Sequence, residues 1–278
     1  MRYRSILVQV DDAYGARARV SAAVRLAIEH NASLTGVFLK SEGTPAYLVA
    51  EGVVTSAEAV DLFYKETEAE AVRANDEARA TFEKALPLAG ISASWHTLNG
   101  ASHDHLANYA RRHDLAILPR RMLVAPAAAD ISAEKIALSS GGPVLVLPEA
   151  GYPPTFGRKI LVAWKDSRES ARALRDAWPF LAAAEEVHFV TAIQDGERQL
   201  DEVMQRHLQE HGCKTSRLIV DRDTDAPTGE VIRRHIDLLG ADMIVMGFYG
   251  RSRLQEFMLG GVSRDMLAHL TMPVLLSH

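Results

Sequence analysis

Short, almost continuous apolar runs alternate along this chain with longer stretches of helical period. Residues 5–10 (SILVQV) form the first run, which stops at Asp11-Asp12. Val20, Val24, Ala27 and Ile28 then recur at steps of one, three and four, which predicts a helix with one buried face. A second run follows at residues 34–39, and others at 91–98, 115–119 and 143–148. The second half repeats this order. Residues 159–164 (KILVAW) end in Lys165-Asp166, and Ala171, Leu174, Trp178 and Leu181 mark the next helix. Runs at 187–193, 214–221, 242–247 and 273–278 complete the series. Apolar runs of this kind are strands buried on both faces, and their alternation with amphipathic helices gives βαβ units and parallel sheets.

The halves differ in one insertion. Ile6 and Ile160 are 154 positions apart, whereas Pro143 and Pro273 are 130 apart. The first half therefore holds about 24 extra residues between its second and third strands. Residues 57–86 there read as one long helix with a stripe of Val60, Tyr64, Thr67, Ala71, Ala74, Ala78, Phe82 and Ala85, ended by Pro87. A crossover helix packed on its own sheet is the expectation, and a partner-binding helix is the alternative. The fold class expected is α/β. Two tandem Rossmann-like domains, 1–150 and 151–278, each hold a five-stranded parallel sheet flanked by helices. The linker falls at 149–157, where Pro153-Pro154 and two glycines interrupt structure.

Composition narrows the function classes. Of 278 residues, 47% are hydrophobic and 24% charged, which excludes a disordered chain. No apolar run is long enough to span a membrane, and the apolar stretch near the N-terminus is too short for a signal peptide, so a cytoplasmic protein is expected. Cys213 is the single cysteine, which excludes an internal disulfide and a thiolate-rich metal site. A net charge of −5 argues against a broad nucleic-acid footprint.

In doubly wound sheets ligands bind beyond the carboxyl ends of the strands, where the strand order reverses. There the second half reads MGFYGRSRLQEFMLGGVS over 246–263. Gly247, Gly250, Gly260 and Gly261 would let backbone N–H groups approach a phosphate, and a final helix from Val262 and Ser263 onward would aim its positive end at the same anion. A tight loop that needs glycine only for its turns is the competing explanation. There is no GxxxxGK[ST] loop and no GxGxxG after a first strand.

Gly247-x2-Gly250-x9-Gly260 after a strand resembles the nucleotide motif G-x2-G-x9-G-[S/T] of the universal stress protein family. The strand at Ile160, the turn Asp166-Ser167-Arg168-Glu169, the segment ADMIVMG at 241–247 and the final PVLL are similar to that family as well. The resemblance covers nearly the whole chain as a tandem and is more specific in the second half. It implies sheets of the adenine nucleotide alpha hydrolase type, pairing of the two domains and, in one branch of the family, ATP binding; another branch binds no nucleotide. Carried over, Gly247, Gly250, Gly260 and Gly261 would hold phosphates and ribose, Arg251 stands where a basic residue is common, and Thr191 and Ala192 would lie near the base. Two positions depart from the pattern. Gly261 replaces the motif's Ser or Thr, with Ser263 two residues on as another source of a hydroxyl. Lys165 replaces the usual acidic residue after the first strand, and Asp166 follows it. The first half keeps the acid, Asp11, but its loop PRRMLVAPAAADIS (119–132) has no glycine, so no phosphate cradle is expected there. Gly141-Gly142 come too late, and Arg120 and Arg121 are expected to be solvated.

Other candidates are weaker. His103-Asp104-His105 have i, i+2 spacing, which points the imidazoles apart, so a helix-start role is preferred to zinc. His207 and His211 have the better i, i+4 spacing but no evident third ligand, and are read as surface histidines. Asp221, Asp223 and Asp225 could hold Mg²⁺ or form an acidic turn. Cys213 beside Lys214 has no support as a reactive thiol, and Trp164, Trp178 and Phe180 are expected in the core. The reading adopted is a stress-response regulator that binds ATP, with or without Mg²⁺, in its second half. Any hydrolysis would be slow, because no water-positioning base is apparent. An open edge strand would allow two chains to pair as a homodimer. An interaction protein without nucleotide and a metal-dependent hydrolase on the same sheet stay open.

Overall fold

A computed structural model gives the fold. It describes residues 2–11, 15–40, 56–86, 90–99, 102–122, 131–149, 151–192, 202–213, 216–221, 226–248, 266–268 and 271–278. The first half runs β1 (Ser5–Gln9), α1 (Ala16–His30), β2 (Ser33–Lys40), α2 (Ala57–Ala85), β3 (Ala93–Asn99), α3 (His103–Ala110) and β4 (Leu115–Pro119). It continues with a short ladder of β5 (Arg121–Met122) and β6 (Ile131–Ser132), then α4 (Ala133–Ser140) and β7 (Val144–Leu147). The second half runs β8 (Lys159–Ala163), α5 (Arg168–Asp176), α6 (Trp178–Ala183), β9 (Glu186–Ala192), α7 (Glu202–Glu210) and β10 (Ser216–Asp221). It ends with α8 (Thr228–Leu239), β11 (Met243–Gly247) and β12 (Val274–Ser277).

Each half contributes five parallel strands, but the two sets form one ten-stranded sheet of order β10-β9-β8-β11-β12-β7-β4-β1-β2-β3. The seam is the antiparallel pair β7–β12, with Leu145 opposite Leu275, Val144 opposite Leu276 and Val146 opposite Val274. The segments Pro143-Val144-Leu145-Val146 and Pro273-Val274-Leu275-Leu276 thus present the same positions to each other, as a pseudo-twofold axis requires. All six paired side chains are fully buried. An apolar edge strand left open is a liability, and here each half covers the edge of the other. Among the described residues, β3 and β10 are the edge strands.

Helices cover both faces. Residues of α1, α2, α5, α6 and α7 pack in one core layer, and those of α3, α4 and α8 in the other. The connection expected as a linker is itself packed. Gly151 and Gly157 take φ of +87° and +86°, Phe156 is buried, and the Arg25 guanidinium lies 4.6 Å over the Phe156 ring. An aspartate repeats at the foot of each half. Asp114 accepts from the backbone N–H groups of Arg4 (2.6 Å) and Ser5 (3.0 Å). Asp242 accepts from those of Gly157, Arg158 and Lys159.

The long helix is one unbroken element, α2, capped by the Ser56 hydroxyl. Only Ala78 and Phe82 on it are buried. Its C-terminal part is the crossover helix expected. Toward its N-terminus Tyr64 is 47% exposed although the stripe placed it inward, and Phe63 takes the half-buried position instead. Trp178 and Phe180 are core residues as expected, whereas Trp164 is only half-buried, edge-on to Phe189 at 6.1 Å.

Asp176 ends α5 beside the seam. Its carboxylate accepts from the Ser277 hydroxyl at 2.5 Å, and its carbonyl accepts from the buried Tyr3 hydroxyl at 2.6 Å. Burial pushes its carboxyl pKa up; the Ser277 hydroxyl, Arg172 and Arg175 oppose this without cancelling it. A carboxyl whose pKa is raised by folding favours the folded state fully below its unfolded value and loses that contribution as pH rises through the folded value. Asp176→Asn is therefore expected to raise the urea midpoint at neutral pH. The gain should shrink as pH is lowered toward the ordinary aspartate value of 3.8. Paired urea titrations across that range check it.

Candidate functional site

Strand order reverses twice, between β8 and β11 and between β1 and β4, so the sheet has two switch points. In the second half, Ala163 pairs with both Met246 and Val190. Trp164, Gly247 and Thr191 are the next residues on their strands, which brings them level at the carboxyl edge. Trp164 N–H donates to the Val190 carbonyl at 2.9 Å. Lys165 and Asp166 follow, both exposed. Thr191 is buried, and Ala192 pairs with Asp221 at the end of β10. The fold thus gathers Lys165, Asp166, Thr191, Ala192 and Gly247 at one edge. Gly250, Arg251, Gly260, Gly261, Val262 and Ser263 lie outside the described residues, as do Asp223 and Asp225.

The turn after β8 is shaped by serines. Ser167 caps α5, its hydroxyl accepting from the Ser170 N–H at 3.2 Å. The Ser170 hydroxyl accepts from the Lys165 N–H at 3.3 Å. This folds the first turn of α5 directly onto the end of β11. A Cβ on Gly247 would lie 2.5 Å from the Glu169 carbonyl carbon and 2.6 Å from the Ser170 nitrogen. Helix-to-strand packing therefore demands a glycine at this position, and nucleotide geometry is not needed to explain it.

The first-half switch point is built differently. Arg19, on α1 and 2% exposed, donates from Nε to the Gln9 carbonyl at 2.7 Å. Its Nη2 donates to Gln9 Oε1 at 3.1 Å and to Asp11 Oδ1 at 2.9 Å. The repeat offset of 154 pairs Gln9 with Ala163, Asp11 with Lys165 and Arg19 with Ala173. Where the first half fills the end of its strand with an ion pair and an amide, the second half has two alanines and an exposed lysine. Asp11 pairs with Arg19. At the start of α4 the buried Glu134 places a carboxylate in the first turn, its Oε2 without a hydrogen bond among the described residues, while Ser132 caps the helix through the Lys135 N–H. An acidic side chain at a helix N-terminus takes the place that an anion would seek. Sequence spacing did not expose Arg19 or Glu134, because a buried charge looks like a solvated one until its neighbours are known.

Arg120 is not simply solvated. It reaches across the seam, donating from Nη1 to the Ala268 carbonyl at 3.1 Å, and Arg121 is exposed. Ser102, rather than His103 or Asp104, caps α3, its hydroxyl accepting from the His105 N–H. Among the described residues no cluster of three or more side chains could hold a metal, and no helix is long and apolar enough to cross a membrane. Cys213 is buried.

Residues 157–278 match the profile of the universal stress protein family. No curated protein matches the chain. Among solved structures, a universal stress protein from Archaeoglobus fulgidus DSM 4304 is similar over 98% of this chain and 95% of its own, with a TM-score of 0.71 at 16% identity. A second solved structure, from Pseudomonas aeruginosa UCBPP-PA14, is similar over 99% of this chain and 93% of its own, with a TM-score of 0.58 at 19% identity. At these identities the likeness is one of fold, and it extends over both halves.

Proposed function

We propose, from the match of residues 157–278 to the universal stress protein family, that the chain is a stress-response regulator that binds ATP. It comprises two units, 1–150 and 151–278, and the second holds the nucleotide. The observation that carries this reading is the contrast between the two switch points. At the first, Gln9, Asp11 and Arg19 bind one another. At the matching positions of the second, the described residues carry Ala163, Ala173 and the exposed Lys165. The glycines at 250, 260 and 261 follow directly from that second edge in sequence, where backbone N–H groups would meet phosphate oxygens. Lys165, Asp166, Thr191, Ala192, Gly247, Arg251, Val262 and Ser263 complete the site in this reading. Lys165 or Arg251 supplies positive charge, and Mg²⁺ accompanies the phosphates.

Calorimetric titration of ATP, with and without Mg²⁺, tests it. One ATP should bind per chain, and Gly250→Asp, which sets a carboxylate where phosphate would lie, should weaken binding at least about tenfold, roughly 1.4 kcal/mol. A folded wild type that binds no ATP would refute the reading. An interaction protein is the second reading. The observation favouring it is α2 itself, on which Leu62, Tyr64 and Val72 are exposed.

A further inference from the structure

We propose that His207 and His211 form a two-imidazole site for a divalent late transition metal ion, away from the nucleotide edge and independent of it. His207 lies in α7, and the helical turn continues one step beyond it, with His211 N–H donating to the His207 carbonyl at 3.2 Å. The spacing i, i+4 places both rings on one side of the helix, and their centroids are 4.6 Å apart. Helical histidine pairs bind zinc through the same spacing.

The surroundings support coordination. Trp178, 3% exposed, forms a rigid floor. Its indole stacks on His211 at 4.4 Å and 12°, and meets His207 edge-on at 5.5 Å. Ligating imidazoles are usually oriented by a hydrogen bond to the second nitrogen. Here the indole face holds the His211 plane. Neither His207 nor His211 makes a side-chain hydrogen bond or ion pair among the described residues. His113 is the contrary case, with Nδ1 bonded to the Tyr109 carbonyl and Nε2 to the Thr35 hydroxyl. His207 is half-buried and His211 exposed, so an ion can reach the pair and water can complete its shell. With two protein ligands the ion exchanges freely, and imidazole donors favour Cu²⁺ over Ni²⁺ and Zn²⁺.

The stacked indole supplies the readout. Cu²⁺ is titrated into the full chain in a buffer that does not chelate it, with tryptophan emission and heat recorded together. The expected result is one ion per chain at this site, quenching of Trp178 and reversal by a chelator. His207→Ala and His211→Phe, the latter keeping an aromatic ring against Trp178, should each weaken that binding at least tenfold. Trp178→Phe should keep the heat of binding but lose most of the quenching. Wild-type affinity in both histidine variants would overturn the proposal. So would binding that leaves Trp178 emission unchanged, or no binding at all.

Discussion

Gly247→Ala is expected to cost at least about 3 kcal/mol of stability, the upper part of the range for forcing atoms into a packed interior. The added methyl would lie 2.5–2.8 Å from three backbone atoms of Glu169 and Ser170. Backbone cannot rotate out of the way as a side-chain tip can. Relief would require the first turn of α5 to lift off β11, which also pulls the Ser170 hydroxyl away from the Lys165 N–H. Gly36→Ala sets the scale. Its Cβ would meet the rings of Trp95 and Phe82 at 2.7–3.0 Å, and Trp95 sits half-buried on an edge strand where it has room to turn. A smaller loss is expected there. Urea unfolding of both variants, compared at equal slope, measures the order. Equal losses would mean that α5 shifts more easily than its hydrogen bonds imply. A Gly247 variant that binds no nucleotide would say nothing about phosphate unless its fold is first shown intact, which is why Gly250 is the better probe.

The second large effect concerns the buried ion pair of the first half. Removing one member of such a pair costs about 3–5 kcal/mol when the survivor stays buried. Asp11 is 21% exposed on its side chain and Arg19 only 2%. The two deletions are therefore unequal. Asp11→Ala strands the Arg19 guanidinium inside the protein, and a loss of about 3 kcal/mol is expected. Arg19→Met leaves a carboxylate that can turn toward water, and its aliphatic replacement fills part of the same space, so about half that loss is expected. A double-mutant cycle on the urea scale gives the coupling. If Arg19→Met proves the costlier change, the bonds from Arg19 to the Gln9 carbonyl and amide, rather than the ion pair, hold the end of β1.

Much of the architecture follows from pattern alone. Buried parallel strands must be apolar on both faces, so their positions and repeat stand out in a sequence, and so does the insertion that becomes α2. Lys165 and Asp166 were legible for the same reason, a strand end marked by the change from apolar to polar, whereas Thr191 and Ala192 were reached only through the family resemblance. Three things required the tertiary structure. The two sheets are one, because β7 and β12 pair across a pseudo-twofold axis, and pairing between distant strands leaves no local signature. Gly247 belongs to helix packing, which depends on how closely α5 approaches. Arg19 and Tyr64 exchange the surroundings that their polarity suggests, the charge inside and the ring outside. A residue's character sets what burial costs, but only its neighbours in space decide whether that cost is met. The sequence determined by itself where the strands lie and which edge they offer to a ligand. The tertiary structure decided that Arg19 closes the end of β1 onto Gln9 and Asp11, because that contact depends on how α1 packs.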